Sequence, residues 1–136
     1  EVIGVLAGNN PEEVKSGLDA AISYIENDAY FVSANEDGSI NYFAHLISRT
    51  GSFLSKEANI REGEAIAYLI APPIEALYAI DAALKAANVR LAAFYGPPSE
   101  TNYAGALLTG SQSACKAACD AFAEAVQYVA DNPTAY

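Results

Sequence analysis

Few side chains in this 136-residue sequence could catalyse a reaction or bind a metal ion, and the clearest pair is Cys115 and Cys119. Their i, i+4 spacing places both thiols on one face of a predicted helix. Two thiolates could begin a metal site, but no further ligands follow at a useful spacing, and two cysteines do not form a disulfide framework. The pattern therefore favours two small thiols buried in the core, and it predicts no metal site.

Other catalytic patterns are equally weak. His45 is the only histidine, and neither Ser48 nor Arg49 completes a hydrolytic triad with it. The Thr50-Gly51 pair and the glycines at positions 4 and 8 do not match a phosphate-binding loop. The sequence therefore predicts no enzymatic activity and no cofactor of its own.

The charge of the chain excludes two classes of partner. Seven basic against seventeen acidic residues give a net charge of −10. Nucleic acids and anionic lipid surfaces attract the opposite sign. Apolar residues make up 52% of the chain, which indicates a globular protein, but no apolar run is as long as a membrane span. We expect neither nucleic-acid binding nor membrane insertion.

The most unusual stretch is a loop at residues 96–105 with the sequence GPPSETNYAG. Its proline, glycine, serine and asparagine residues oppose regular structure, and it is longer than a hairpin requires. Pro97 and Pro98 are expected to stiffen its entry, and Gly105 to loosen its exit. It is either a tolerated surface loop or a functional loop held by a rigid scaffold.

The elements before this loop begin with a short buried strand at residues 1–7. Asn10, Pro11 and Glu13 then predict the start of a helix that ends at residues 27–28. Its helical stripe predicts one face in the core, formed by Val14, Leu18, Ile22 and Ile25.

The rest of the chain alternates between strands and helices. Further strands are predicted at residues 29–34, 40–48, 65–71, 89–95 and 103–108, although the apolar pattern of 40–48 also fits a helix. An Asp37-Gly38 turn predicts a hairpin between the first two of these strands. Residues 53–64 are expected to be a connection with one helical turn. Helices are predicted at residues 74–87 and 113–130, the second capped by Ser111 or Ser113. This order predicts an α+β fold, an antiparallel sheet with helices on one side.

The order of elements also indicates two related modules in tandem. Residues 1–27 repeat the strand and helix that end the longer unit, so we interpret them as the end of a first module and residues 28–136 as a second module. The chain contains no methionine and begins inside an apolar run. We therefore expect it to derive from a larger parent.

Several segments resemble a known family. The sequence LKAANV at residues 84–89 resembles the bacterial microcompartment shell-protein domain, in which a helix ends in Lys-Ala-Ala-Asn and runs directly into a strand. Four further segments are similar to the tandem, circularly permuted shell proteins of ethanolamine-utilization compartments: residues 48–52, 71–76, 97–103 and 108–119. The resemblance covers the whole chain, whereas a first part of such proteins has no counterpart in it.

The resemblance implies a permuted variant of the ferredoxin-like fold and a structural role in a shell. Such proteins form trimers with pseudo-sixfold symmetry, which tile together with other shell proteins around a cytoplasmic microcompartment, the polyhedral organelle of ethanolamine degradation. Lys85 would lie at the tile edge. A gated central pore would be lined by loop residues Ser99, Glu100, Thr101, Asn102 and Tyr103.

The resemblance further implies a smaller pore within each subunit, bordered by Glu1 and Phe31. Ethanolamine would bind there, since a carboxylate and nearby backbone carbonyls suit its ammonium group. A cobalamin-type cofactor is implied as a larger cargo of the central pore. The alternative from the residues alone is a small-molecule-sensing, oligomeric regulatory α+β domain, which would share the acidic character and the alanine-rich helix.

Overall fold

The structure, a computed structural model, describes residues 3–27, 30–97 and 100–133. The chain divides into two compact units, Glu1–Tyr30 and Phe31–Tyr136. Within the described residues, every helix is too short or too polar to cross a bilayer.

The first unit is built on helix α1, Pro11–Asn27, at the predicted position. Asn10 caps it, because its Oδ1 accepts a hydrogen bond of 2.9 Å from the Glu13 N–H. The Glu13 carboxylate in turn accepts one of 3.1 Å from the Asn9 N–H. The helix start that the sequence predicts is therefore confirmed, and the Asn9 N–H donates the return bond of the capping box to Glu13.

Two predictions for this unit are wrong. The described part of the predicted first strand, residues 3–7, has no regular secondary structure and is exposed, and residues 1 and 2 lie outside the described residues. The predicted core stripe of α1 is also exposed: Leu18 to 49%, Ile22 to 44% and Ile25 to 66%. An apolar pattern specifies which face of an element avoids water, but it does not supply the strand or layer that covers that face.

The second unit contains one antiparallel sheet. Its strands lie in the spatial order β1-β2-β3-β5-β4, with the following bounds. They are β1 Val32–Ser33, β2 Asn41–Ile47, β3 Ala65–Ala71, β4 Val89–Tyr95 and β5 Ala104–Gly110. The structure thus confirms a strand rather than a helix in residues 40–48. The strand predicted at 29–34 is reduced to two residues, with 28 and 29 outside the described residues.

The predicted hairpin between β1 and β2 is present. Gly38 has a φ of +71°, the left-handed conformation that such turns require. The Asp37 carboxylate accepts a 3.0 Å hydrogen bond from the Ser39 N–H, and the hydrogen bonds from Ser39 lower the pKa of Asp37. The turn fixes the register in which Val32 lies opposite Tyr42.

Two long helices, α3 (Pro73–Ala86) and α4 (Gln112–Asp131), cover one face of the sheet, as predicted. The Ser111 hydroxyl caps α4 by accepting a hydrogen bond from the Ala114 N–H. A shorter helix, α2 (Ser52–Glu57), supplies the predicted helical turn. The segment that follows it packs on the opposite face, where Ala58 contacts the cluster of Ile66 and Leu107.

Small side chains let α3 lie close to the sheet. Ala76, Ala79 and Ala83 are fully buried, whereas Ile74 and Leu77 are exposed on the outer side of the helix. Ile74 and Leu77 therefore face outward, whereas the buried alanines of α3 and Ile80 lie in the core cluster with residues of the strands. Close helix-to-sheet contact is the packing that so much alanine permits.

Candidate functional site

The residues predicted to form pores fall mainly in the second unit. Phe31 precedes β1, and Glu100, Thr101, Asn102 and Tyr103 connect β4 to β5. Glu1 and Ser99 lie outside the described residues. The structure therefore describes five of these seven positions and places all five in one compact unit.

The described part of the loop is irregular, as expected. Residues 100–102 are exposed, and Asn102 has a φ of +59°. Asparagine tolerates this left-handed conformation better than most residues. The prediction for Gly105 is wrong, however, because Gly105 lies within β5 and pairs with both Ile70 and Tyr95. A Cβ at this position would lie 2.4 Å from the Leu69 carbonyl oxygen, so glycine here permits a close approach of two strands rather than a loose exit.

An aromatic cluster anchors the end of the loop on the sheet face opposite α3 and α4. Tyr103 contacts Phe31 edge to face at a centroid distance of 5.9 Å. Phe31 in turn contacts Phe43 at 5.7 Å, and Phe43 contacts both His45 and Tyr68. The cluster thus joins Phe31, predicted at the smaller pore, to Tyr103, predicted at the central pore. Its one signal in the sequence is the period-two spacing of Phe43 and His45 on a strand.

A cavity of about 320 Å³ lies under the loop. Tyr95, one of its lining residues, donates a hydrogen bond of 3.3 Å from its hydroxyl group to Glu57 Oε2. Burial and the negative charge of Glu57 raise the pKa of Tyr95, so its phenol is neutral at physiological pH. The lining combines aromatic, apolar and acidic groups: Tyr68, Ile70, Tyr95, Glu100, Thr101, Tyr103, Ala104 and Gly105.

Lys85 lies in the last turn of α3, with its side chain 75% exposed. Its ammonium group pairs with Asp81 four residues earlier, which gives the pair little net charge. Such exposed pairs contribute little to stability. Lys85 is therefore accessible, and its placement is compatible with either a contact surface or a plain helix end.

The thiols of Cys115 and Cys119 are buried, which confirms the prediction that they belong to the core. Burial raises the pKa of both, to about 12 for Cys119. The Cys115 Sγ lies 3.8 Å from the Leu108 carbonyl oxygen, a weak hydrogen bond. In the part of the chain that the structure describes, no three metal-ligating side chains come together.

Comparison with known proteins shows what the chain is similar to. The BMC domain matches residues 70–133. Over all 136 residues the chain is 68% identical to the bacterial microcompartment shell protein EutL of Clostridium perfringens (strain 13 / Type A), of which it spans 63%. The chain therefore contains a BMC domain at residues 70–133 and is similar to bacterial microcompartment shell proteins.

Other relatives are similar in sequence and in fold. The chain is 58% identical to the shell protein EutL of Escherichia coli (strain K12) over 98% of its residues and 61% of that protein. A crystal structure of the ethanolamine utilization protein EutL from Leptotrichia buccalis C-1013-b superimposes with a TM-score of 0.86 at 74% identity, covering 95% of this chain and 59% of that one. The chain thus spans about three fifths of the length of these relatives.

These relatives also bear on the predicted class of function. They are shell proteins of microcompartments rather than enzymes, in agreement with the non-enzymatic role predicted from the sequence. The BMC shell proteins also favour the structural role over the alternative of a free regulatory domain.

Proposed function

We propose that the chain is part of a shell tile of an ethanolamine-utilization microcompartment in the cytoplasm. The observation that best supports this proposal is the alignment with a EutL shell protein. It covers the whole chain at 68% identity and includes the loop between β4 and β5. The tile is a homotrimer with pseudo-sixfold symmetry that associates laterally with other shell proteins. Lys85, accessible at the end of α3, lies at the edge of the tile.

The chain holds parts of two modules in this proposal. Residues 1–27 end a first BMC module, and residues 28–136 form a second, circularly permuted one. The division into two compact units at residue 30 supports this assignment. So does the exposed apolar stripe of α1, because a helix with such a stripe belongs against another layer.

The loop at residues 97–103 lines the central pore of the trimer. Glu100, Thr101 and Asn102 are exposed and polar, so they can replace part of the hydration shell of a passing molecule without retaining it. Tyr103 holds one end of the loop through Phe31. A loop anchored at one end and exposed in its middle suits a gate, because alternative conformations of the exposed part cost little free energy.

Ethanolamine binds at the smaller pore, bordered by Glu1 and Phe31. A carboxylate at position 1 pairs with the ammonium group, and Phe31, half exposed, offers an aromatic ring accessible from solvent. Larger cargo, including a cobalamin-type cofactor, passes through the central pore when the loop retracts.

Electron microscopy of the assembled full chain tests this proposal. We expect trimers by light scattering, and flat sheets in which the loop surrounds the threefold axis. A loop on the outer rim would contradict the pore, and a closed oligomer that never forms sheets would contradict the shell tile.

Removal of residues 99–102 tests the gate separately. We expect the shortened chain to form trimers and to admit large dyes into reconstituted shells more rapidly than the parent chain. An unchanged entry rate of these dyes would show that the loop does not control the pore.

A further inference from the structure

The cavity under the loop lies beside Gly105 of β5. On the sheet face opposite α3 and α4, Gly105 lies in β5 between Ile70 of β3 and Tyr95 of β4, in the same row of the sheet. All three residues line the cavity. Glu100, Thr101 and Tyr103 of the loop add to its lining, and its volume is about 320 Å³.

The walls of this cavity favour positive charge. Three tyrosines, Tyr68, Tyr95 and Tyr103, line it together with a single carboxylate, that of Glu100, and the described lining contains no basic residue. Glu100 is exposed, so its carboxylate is accessible to a ligand. The Glu57 carboxylate accepts a hydrogen bond of 3.3 Å from the hydroxyl group of Tyr95, one of the lining residues. An acidic chain with a net charge of −10 adds to the attraction for a cation.

We propose that this cavity is a binding site for a small organic cation with an alkylammonium head, held by the Glu100 carboxylate and the tyrosine rings. Aromatic rings attract alkylammonium groups through their negative faces, and a carboxylate supplies the opposing full charge. Ile70 and Ala104 contribute apolar surface for the alkyl groups. The volume lies at the lower end of the range for small-molecule pockets, about 300–1,000 Å³.

The site is distinct from the smaller pore proposed above, because Phe31 is not among the described residues that line it. All of its described residues belong to one compact unit of a single chain. Binding therefore requires neither trimer nor sheet, and the inference stands whether or not the pore assignments are correct.

Calorimetry with choline as the probe tests the site. We expect choline to bind the full chain, and Glu100→Gln to weaken binding by about tenfold, since it removes the charge and keeps the shape. Glu62→Gln is the matched control, because Glu62 is an exposed carboxylate outside the cavity, and it should leave the affinity unchanged. 3,3-Dimethylbutan-1-ol, a neutral molecule of the same shape as choline, should bind much more weakly.

Substitutions of Tyr95, which lies on the edge strand β4, provide a second test. Tyr95→Phe keeps the ring and should bind choline within about twofold of the parent, whereas Tyr95→Leu should lose most of the affinity. In addition, choline should shift the amide resonances of Gly105 and Glu100 more than those of α4. The site is refuted if choline fails to bind, if the neutral isostere binds equally well, or if Glu100→Gln binds choline as the parent does.

Discussion

The rings of Phe31 and Tyr103 meet edge to face, with their centroids 5.9 Å apart and their planes inclined at 69°. Phe31 precedes the first strand of the sheet, and Tyr103 is the last residue before β5. The contact therefore links the start of the sheet to the end of the exposed loop. Any change that moves one ring alters the contacts that hold the other.

Removal of this contact should loosen the loop. We expect Tyr103→Ala to cost at least about 0.5–1.5 kcal/mol, the value of an aromatic pair, and to speed hydrogen exchange at the amides of residues 100–104. Tyr128→Ala is the matched control, because it removes the stacked pair of Tyr78 and Tyr128 on the helices. Equal exchange rates at these loop amides in both variants would contradict an anchoring role for Tyr103.

Charge reversal at Lys85 should weaken lateral assembly. In Lys85→Glu the new carboxylate lies one helical turn from Asp81, and it adds like charge to an acidic protein. We expect trimers of normal size but fewer or smaller sheets in electron micrographs. Lys15→Glu is the control, because Lys15 has the same i, i+4 pairing with an aspartate and a similar exposure. Normal sheets from Lys85→Glu would place Lys85 away from the tile edge.

The two thiols should resist modification in the native protein. Because burial raises their pKa values, to about 12 for Cys119, neither forms a reactive thiolate at pH 8. A bulky aromatic disulfide reagent should label both only after denaturation. Rapid labelling of the native chain at both positions would show that they are not in a closed core.

The same thiols predict a loss of stability at high pH. A thiol with a raised pKa in the folded state keeps its proton longer than in the unfolded chain, so its contribution is complete below the unfolded pKa of about 8.5. We expect the free energy of unfolding to fall as the pH rises from about 9 towards 12. Cys119→Ala should flatten this slope in urea titrations. A slope unaffected by the substitution would assign the pH dependence to other groups.

A methyl group at Gly105 should destabilise the sheet. In Gly105→Ala the Cβ would lie 2.4 Å from the Leu69 carbonyl oxygen, so strands β3 and β5 must move apart. We expect a cost of about 1–3 kcal/mol, measured by urea denaturation. Gly4→Ala is the control, because a Cβ at Gly4 meets no atom within 4 Å. A neutral Gly105→Ala would mean that the two strands are not closely paired at this point.

The central strands could be predicted to the residue because local chemistry bounds them. β3 is a continuous apolar run stopped by Pro72, and β4 follows Asn88 at the end of α3. The end of β5 was harder to predict from the sequence, because Thr109 and Gly110 are typical of a turn. In the fold they continue the ladder, and the buried Thr109 hydroxyl donates to the Ala65 carbonyl oxygen at 2.9 Å.

The candidate site was only partly predictable for a different reason. Composition marked the loop as irregular, and residues 100–103 are irregular. The cavity beside Gly105, however, depends on which residues of β3 and β4 lie opposite Gly105, and strand register across a sheet is a non-local property. The prediction of a strand at residues 1–7 was wrong for a related reason, since an apolar run becomes a strand only when another strand pairs with it.

The spatial order β1-β2-β3-β5-β4 places β3 beside β5, although α3 and β4 separate them along the chain. A ribosome therefore releases β3 while its second neighbour and the helix α4 that covers it are still unsynthesised. β2 is available to pair at once, but the other edge of this apolar strand stays open until residue 110 has emerged. Residues 65–71 are thus the segment of the nascent chain that most needs protection from aggregation by a co-translational chaperone.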